Sequence, residues 1–204
     1  MTSLASTRLA DQAVYNNAVW CDTICKAHGN PGVFEPGIWF NTKSVPRFYP
    51  NAVTLTRTQE EQYSSIKKLI TEEMIEHFGV KDSFASLNLD ELGFTTLFEA
   101  EWLWLSPEVA MPLNHFQDIQ WQIVKNPDEL MHWEVAWNNG ELGDNARIFL
   151  PNLLDNPDVI FIAGYKQQHI VAGAIGNRTG EVVGYLISLR QAIWQSIIGQ
   201  NAFI

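Results

Sequence analysis

The sequence has few cysteines, few basic residues and no apolar run long enough to cross a membrane. Two cysteines in 204 residues cannot form a disulfide scaffold, so we expect a cytoplasmic location. The net charge of −10 argues against a nucleic-acid partner, whose phosphates require a basic face, and against docking on an anionic membrane. The N-terminus, MTSLASTRLADQ, lacks the apolar core and the basic start of a secretory signal.

What remains is the composition of an ordinary globular protein, with 46% hydrophobic and 18% charged residues. The length suffices for one large domain or two small ones. We expect two α/β units, residues 1–110 and 117–204. The segment Ser106–Phe116 contains Pro107 and Pro112, and we interpret it as the linker between them.

Three apolar runs lie close together near the C-terminal end of the sequence: Val159–Tyr165, Ile170–Ile175 and Val182–Ile187. Short polar segments separate them, a pattern that predicts an antiparallel meander over residues 158–187. The first two runs are almost continuously apolar, which indicates a sheet covered on both faces.

Apolar periodicity predicts three helices: Asp11–His28, Thr58–His77 and Pro127–Asn138. The first has an apolar stripe, and the second begins with a capping box, in which Thr58 is followed by Glu61. The third begins with proline at its favoured first position. The stripe of the first helix consists of Val14, Ala18, Cys21 and Cys25.

Cys21, Cys25 and His28 share one face of the first predicted helix, which raises the question of a metal site. A structural zinc site needs four ligands, and no third cysteine exists to complete a sulfur set. We therefore interpret the two cysteines as buried apolar residues and the histidine as a helix-terminal one, and we predict no metal.

The remaining strand candidates are Gly37–Asn41, Ala52–Thr56, Phe94–Leu105 and Ile119–Val124. A strand at Phe94–Leu105 places Trp102 and Trp104 on one face, where they either line a ligand site or pack against a helix. Glu99 and Glu101 then share the other face, as a general base or as a solvated surface. Between Lys81 and Phe84, Asp82 or Ser83 is expected to cap a short helix, since no histidine stands near Ser83 in a nucleophile motif.

The order of elements from Gln120 to Tyr185 is strand, helix, apolar connector and three strands. It resembles the first half of the GNAT superfamily of acetyltransferases. The segments NNAVWCDTICKAHG, YPNAVTLT, VKDSFASLNLDELGF and VAGAIGNRTGEVVG look like a GNAT-like bacterial family, in which a GNAT-related region precedes that half. The Thr58–His77 helix, together with VKDSF, LDELGF and the strand after it, resembles the closing half of a GNAT fold. The resemblance covers about Tyr15 to Tyr185.

This resemblance implies a mainly antiparallel GNAT-like sheet flanked by helices, and acyl transfer from acetyl-CoA to an amine. In the superfamily the fourth strand bends at a bulge, and its backbone N–H groups polarise the thioester carbonyl. Carried onto this sequence by position, the residues are Val183, Gly184 and Tyr185. The resemblance assigns no catalytic residue and no identity to the amine.

After Ile187 the family pattern fails, because the phosphate-binding loop Arg/Gln-x-x-Gly-x-Gly/Ala does not follow. Arg190 precedes Ile193 rather than glycine at the required spacing. The expectation is therefore a GNAT-like protein that is truncated and weak or inactive; the alternative is a non-catalytic binding protein that keeps the fold without binding CoA.

Two interpretations of the apolar tail, residues 186–204, remain open. Codons for Tyr185 onward can be chosen so that one inserted base gives Tyr-Ser-Asn-Ile-Phe-Thr-Pro-Gly, a family-like continuation, which favours a frameshift. Alternatively the tail is an authentic helix whose Leu189, Ile193 and Ile197 pack on the sheet. Since it has one charge in nineteen residues, we expect it to cover an apolar face left open by the missing half or to drive self-association.

Overall fold

The computed structural model describes residues 3–73, 77–109, 118–138 and 147–189. It divides into two units, Met1–Glu99 and Ala100–Ile204, each with its own four-stranded sheet. The chain is thus mixed α/β with two mainly antiparallel sheets. No helix among the described residues is long and apolar enough to cross a membrane. Most of the predicted linker, residues 110–116, lies outside the described residues.

In unit 1, three strands pair antiparallel in the order β1-β2-β3, and β4 joins β3 in parallel through a crossover helix. The strand β1 was not predicted, since three residues give too short a pattern. The elements are α1 (Ser3–Ala27), β1 (Val33–Glu35), β2 (Ile38–Phe40), β3 (Ala52–Thr54), α2 (Gln59–Glu73) and β4 (Val80–Lys81).

The two helices of unit 1 cover opposite faces of its sheet, because side chains alternate along β2 and β3. Trp39 and Val53 pack on α1, whereas Ile38 and Ala52 pack on α2. The stripe predicted for α1 is buried throughout: Val14, Ala18, Cys21 and Cys25 are at most 3% exposed. The predicted helix is confirmed, although it begins at Ser3 rather than near Asp11.

Unit 2 contains the predicted meander, which is confirmed as three antiparallel strands. A fourth strand, β5, pairs antiparallel with β6, so the sheet order is β5-β6-β7-β8. The elements are β5 (Gln120–Ile123), α3 (Pro127–Trp137), a 3-10 helix (Pro151–Asp155), β6 (Val159–Lys166), β7 (His169–Thr179) and β8 (Val182–Leu189).

Helix α3 packs on one face of this sheet through Trp133, which is 1% exposed. The indole Nε1 of Trp133 donates to the backbone oxygen of Ile162 at 2.9 Å, and its ring makes edge contacts with Phe149 and Phe161. The helix begins as predicted at Pro127, where the side chain of Asn126 accepts from the backbone N–H of Glu129.

Two predictions fail in the described residues. Phe94–Leu105 forms no strand, because it has no partner in either sheet and an extended segment without a ladder leaves its backbone groups to water. The expectation of two covered faces is also wrong for the sheet of unit 2. The face opposite α3 exposes large apolar side chains: Trp121 47%, Ile123 51%, Ile160 37%, Val183 43% and Tyr185 68%.

Candidate functional site

The residues carried over from the resemblance lie on β8, an edge strand whose outer side pairs with no described residue. A two-residue turn, Gly180-Glu181, joins β7 to β8. Gly180 has φ of +59°, as the first central residue of a type II′ turn requires. The turn therefore fixes the pairing of Thr179 with Val182 at the start of the hairpin.

The hydrogen-bonding directions along β8 follow from this turn. Residues that close a two-residue hairpin exchange both backbone hydrogen bonds, and bonded and non-bonded pairs then alternate. Gly184 is accordingly bonded to Asn177 on β7, while the N–H and C=O groups of Val183 and Tyr185 point to the open edge. The three carried-over residues thus divide into one that holds the sheet and two that present backbone groups outward.

Their side chains divide in the same way. Val183 and Tyr185 lie on the exposed face, whereas Gly184 lies on the α3 face opposite Asn177, which is 4% exposed. Beside Val183, the guanidinium of Arg178 is bound to Asp158, with Nη2 to Oδ1 at 2.6 Å. The charge of this arginine is therefore already balanced at the corner of the sheet.

An open edge of this kind binds extended chains through main-chain hydrogen bonds. A single outward N–H group can also donate to a carbonyl oxygen, but those of Val183 and Tyr185 lie roughly 6.6 Å apart along a regular strand, so they do not converge on one oxygen. The bulge that the resemblance implies is not found in β8, since Val182–Leu189 pairs with β7 without a shift. The register shift in this sheet lies instead between β6 and β7: Gly164 pairs with Ala172 and Tyr165 with Ile170, so Val171 of β7 is the extra residue.

A second feature of unit 2, missed by sequence reasoning, is a polar cleft of about 540 Å³ beside the β6–β7 turn. The turn residues Gln167 and Gln168 have φ of +49° and +69°, a conformation that favours Asn-Gly and strains glutamine. The sequence signal for this feature was the presence of two glutamines, Gln167 and Gln168, at a two-residue hairpin turn. The cleft is lined by Asp118, Gln120, Gln122, Tyr165, Gln167 and Gln168.

Unit 1 holds a buried group of titratable side chains next to α1. Burial raises the pKa of Cys21 to about 12 and that of Cys25 to about 11. Burial likewise raises the pKa of Tyr49 well above its ordinary value. Burial lowers the pKa of Lys81 to about 8, an effect that the nearby Cys21 thiol opposes. Thiols with raised pKa values are poor nucleophiles, so Cys21 and Cys25 are not candidate nucleophiles.

The other candidate residues are placed apart from one another. No group of three metal-binding side chains occurs in the described part of the chain, Cys21 and Cys25 included. Glu99 and Glu101 are exposed on a segment that forms no strand. Trp102 and Trp104 lie on the same segment, and Trp104 is 41% exposed.

Asp82 caps a turn rather than the predicted short helix. Its carboxylate accepts from the backbone N–H of Leu87 at 2.7 Å and from the hydroxyl of Thr54 at 3.3 Å. The helical segment that follows is a single 3-10 turn, Asp90–Leu92, which ends at Gly93.

No protein-family model, curated protein or solved structure matches this chain. The choice among functions therefore depends on the geometry of β8 and on the residues that follow it.

Proposed function

We propose that the chain is a GNAT-like N-acetyltransferase family protein, related to enzymes that transfer an acyl group from acetyl-CoA to an amine, and that it acts in the cytoplasm. The observation that carries this proposal is the antiparallel order β5-β6-β7-β8 with α3 inserted between its first two strands. That order is the one the resemblance implies for the first half of the fold.

Unit 1 supports the same proposal in a weaker way. Its strands β3 and β4 are parallel and are joined by α2. A parallel pair with a crossover helix fits the likeness of this region to the closing half of a GNAT fold. The strand that the likeness also places after LDELGF is not formed among the described residues, so unit 1 supports the proposal through this pair alone.

The residues present fit one part of acetyl-CoA and not the other. When bound in this family, acetyl-CoA supplies the activated acyl group, and either the outward N–H of Val183 or that of Tyr185 can donate to its acyl carbonyl oxygen. The pyrophosphate end requires unpaired amides at a helix N-terminus behind a glycine-rich loop. The sequence after Ile187 has no such loop, so we propose that this chain binds acetyl-CoA weakly or not at all.

Calorimetry with acetyl-CoA tests this proposal. We expect no heat at roughly micromolar ligand, since the pyrophosphate contacts account for much of the affinity in a charge-assisted site. Heat at that concentration would mean that the chain keeps CoA binding and would favour an active acyltransferase.

A variant pair then locates any binding that is seen. Tyr185→Pro removes an outward N–H without breaking the β7–β8 ladder, because proline is tolerated where the N–H faces away from the sheet. Tyr185→Ala removes the side chain and keeps the N–H. Binding through the strand edge predicts that the proline variant loses the heat and that the alanine variant retains it.

The alternative, a non-catalytic binding protein, is favoured by the charges around β8. Among the described residues, the charged side chain paired across from Val183 is Arg178, which is held by Asp158 and cannot act as a base.

The nucleotide sequence of the gene past the codon for Tyr185 distinguishes a frameshifted tail from an authentic one. A one-base shift that opens a glycine-rich loop supports the frameshift, and the lack of a family-like continuation in every frame makes the tail authentic.

A further inference from the structure

The exposed face of the unit 2 sheet is an extended apolar surface, which we call the apolar face. The register places five large side chains on it together, all on the side away from α3. These are Trp121, Ile123, Ile160, Val183 and Tyr185, each 37% to 68% exposed. Large apolar patches of this kind mark interaction sites in proteins.

The relief of the apolar face is set by residue size. Of the two inner strands, β6 carries Ile160 and Ile162 on this face, whereas β7 carries Ala174 and Gly176. A methyl group at Gly176 would lie 2.8 Å from Ile160 and 3.7 Å from Val183, so the side chains of the neighbouring strands already close over this glycine. The apolar face therefore has little relief, as suits packing against another sheet.

Charge on the apolar face is confined to its ends and is paired. Among the described residues, strand alternation places Arg178 and Lys166 on this side, and they pair with Asp158 and Asp118 respectively. The chain as a whole carries −10, which opposes contact between copies elsewhere on the surface. Contact through this face brings no unpaired carboxylates together.

The size of the apolar face can be compared with what a stable contact needs. Four strands about 4.8 Å apart, each with about seven residues rising about 3.3 Å, span roughly 400 Å² in projection. Two such faces packed together bury about 800 Å² in projection, and more in accessible area because the side chains protrude. This reaches the lower end of specific interfaces, about 1,000 Å² in total.

We propose that the apolar face binds a second copy of this chain, sheet against sheet, in a two-fold dimer. Such a contact is isologous, so each copy contributes the same five large side chains. Stacked sheets lie about 10 Å apart, which leaves room for one layer of side chains from each copy. The modest area predicts a weak dimer, with a dissociation constant of roughly 1 to 100 µM.

Sedimentation velocity of the full chain over that concentration range tests the proposal. We expect wild type to pass from monomer to dimer, and the double variant Ile123→Lys with Tyr185→Lys to stay monomeric throughout. The matched control is Leu103→Lys in the same unit, since Leu103 is 80% exposed and lies outside the sheet. It should dimerise like wild type.

Wild type that stays monomeric throughout, or a double variant that dimerises like the control, would overturn the proposal. Circular dichroism checks that both variants are folded. A second measurement needs no variant: oxidative footprinting of Trp121 and Tyr185 in wild type at the two ends of the range. Protection that grows with concentration supports the dimer. Protection independent of concentration would mean that another part of the same chain, such as residues 190–204, covers the face.

Discussion

Unit 1 and unit 2 each pack a fully buried tryptophan against a glycine, but the two indoles donate to different acceptors. Trp39 lies against Gly32, where a methyl group would come within 2.6 Å of the ring. Trp133 lies against Gly173, where it would come within 2.7 Å. Trp39 donates to the carboxylate of Asp22 at 3.3 Å, whereas Trp133 donates to a backbone oxygen.

The surroundings of the two tryptophans extend this difference. Around Trp39 the core contains two thiols, and the ammonium of Lys81 and the phenol of Tyr49 are buried nearby. Around Trp133 the contacts are aromatic rings at edge-to-face angles. The stability of unit 1 should therefore depend on pH above neutrality through the groups around Trp39.

The largest effect is expected from Trp133→Ala. The variant removes a fully buried ring and its hydrogen bond, and we expect a loss of about 3–5 kcal/mol in the free energy of unfolding. The control Trp104→Ala removes a tryptophan that is 41% exposed and should cost about 1 kcal/mol or less. Urea unfolding with a constant m-value measures both, and equal losses would contradict the packing described for α3.

The glycine variants Gly32→Ala and Gly173→Ala compare the two tryptophan contacts directly. Each added methyl group overlaps an indole ring, so we expect each variant to lose about 1–3 kcal/mol. Gly79→Ala is the matched control, because its methyl group would meet its nearest neighbour at 3.5 Å. That variant should be neutral or slightly stabilised. If either variant lost no free energy of unfolding, the close contact between that glycine and its tryptophan would be contradicted.

Lys81→Met should stabilise unit 1 by about 1–2 kcal/mol at pH 7, because it removes a buried charge. Below pH about 8 Lys81 is protonated in both the folded and the unfolded state, so the folded state bears the full cost of burying its charge. As the pH rises from about 8 towards 10.5, the folded state releases its proton first and the wild type gains stability. The advantage of the variant should shrink over this window, as thermal unfolding at several pH values can measure. An advantage that is constant with pH would rule out the buried ammonium as its cause.

The smallest effect concerns the thiols. Below pH 9 the thiols of Cys21 and Cys25 are protonated in both the folded and the unfolded state. Above pH 9 the unfolded state loses these protons first, so the wild type should become less stable as the pH rises. Cys21→Ala removes one such group and should reduce the loss between pH 9 and 10 by about 1 kcal/mol. Val14→Ala, at another buried position of the same helix stripe, supplies the control, since it should shift stability equally at every pH.

Prediction from the sequence succeeded where the pattern was long and locally determined. The stripe on α1 repeats over three turns, and the meander has turn residues on both sides of its central strand, so both were found. The segment Phe94–Leu105 alternates like a strand, but a strand also needs a partner, and pairing cannot be read from one segment. The exposed apolar face was missed for the same reason, because apolar content does not show which neighbours cover a sheet.

The candidate site was predictable only in part. Val183, Gly184 and Tyr185 were named from a resemblance, and the sequence alone could not tell which of them face outward. That division depends on the turn at Gly180, which sets the phase of the hydrogen bonds along β8. The cleft at Gln167 and Gln168 had a local signal, but Gln120 and Gln122 of β5 also line it and are brought there by strand pairing with β6.

The open edge of β8 is the feature on which the proposed function depends, and site-resolved amide hydrogen exchange tests it directly. The N–H groups of Val182 and Gly184 should exchange slowly, since they are bonded to β7. Those of Val183 and Tyr185 should exchange orders of magnitude faster, close to the rate of local opening. Equal protection of all four amides would mean that another segment pairs with this edge, and the proposed site for a carbonyl group would then be closed.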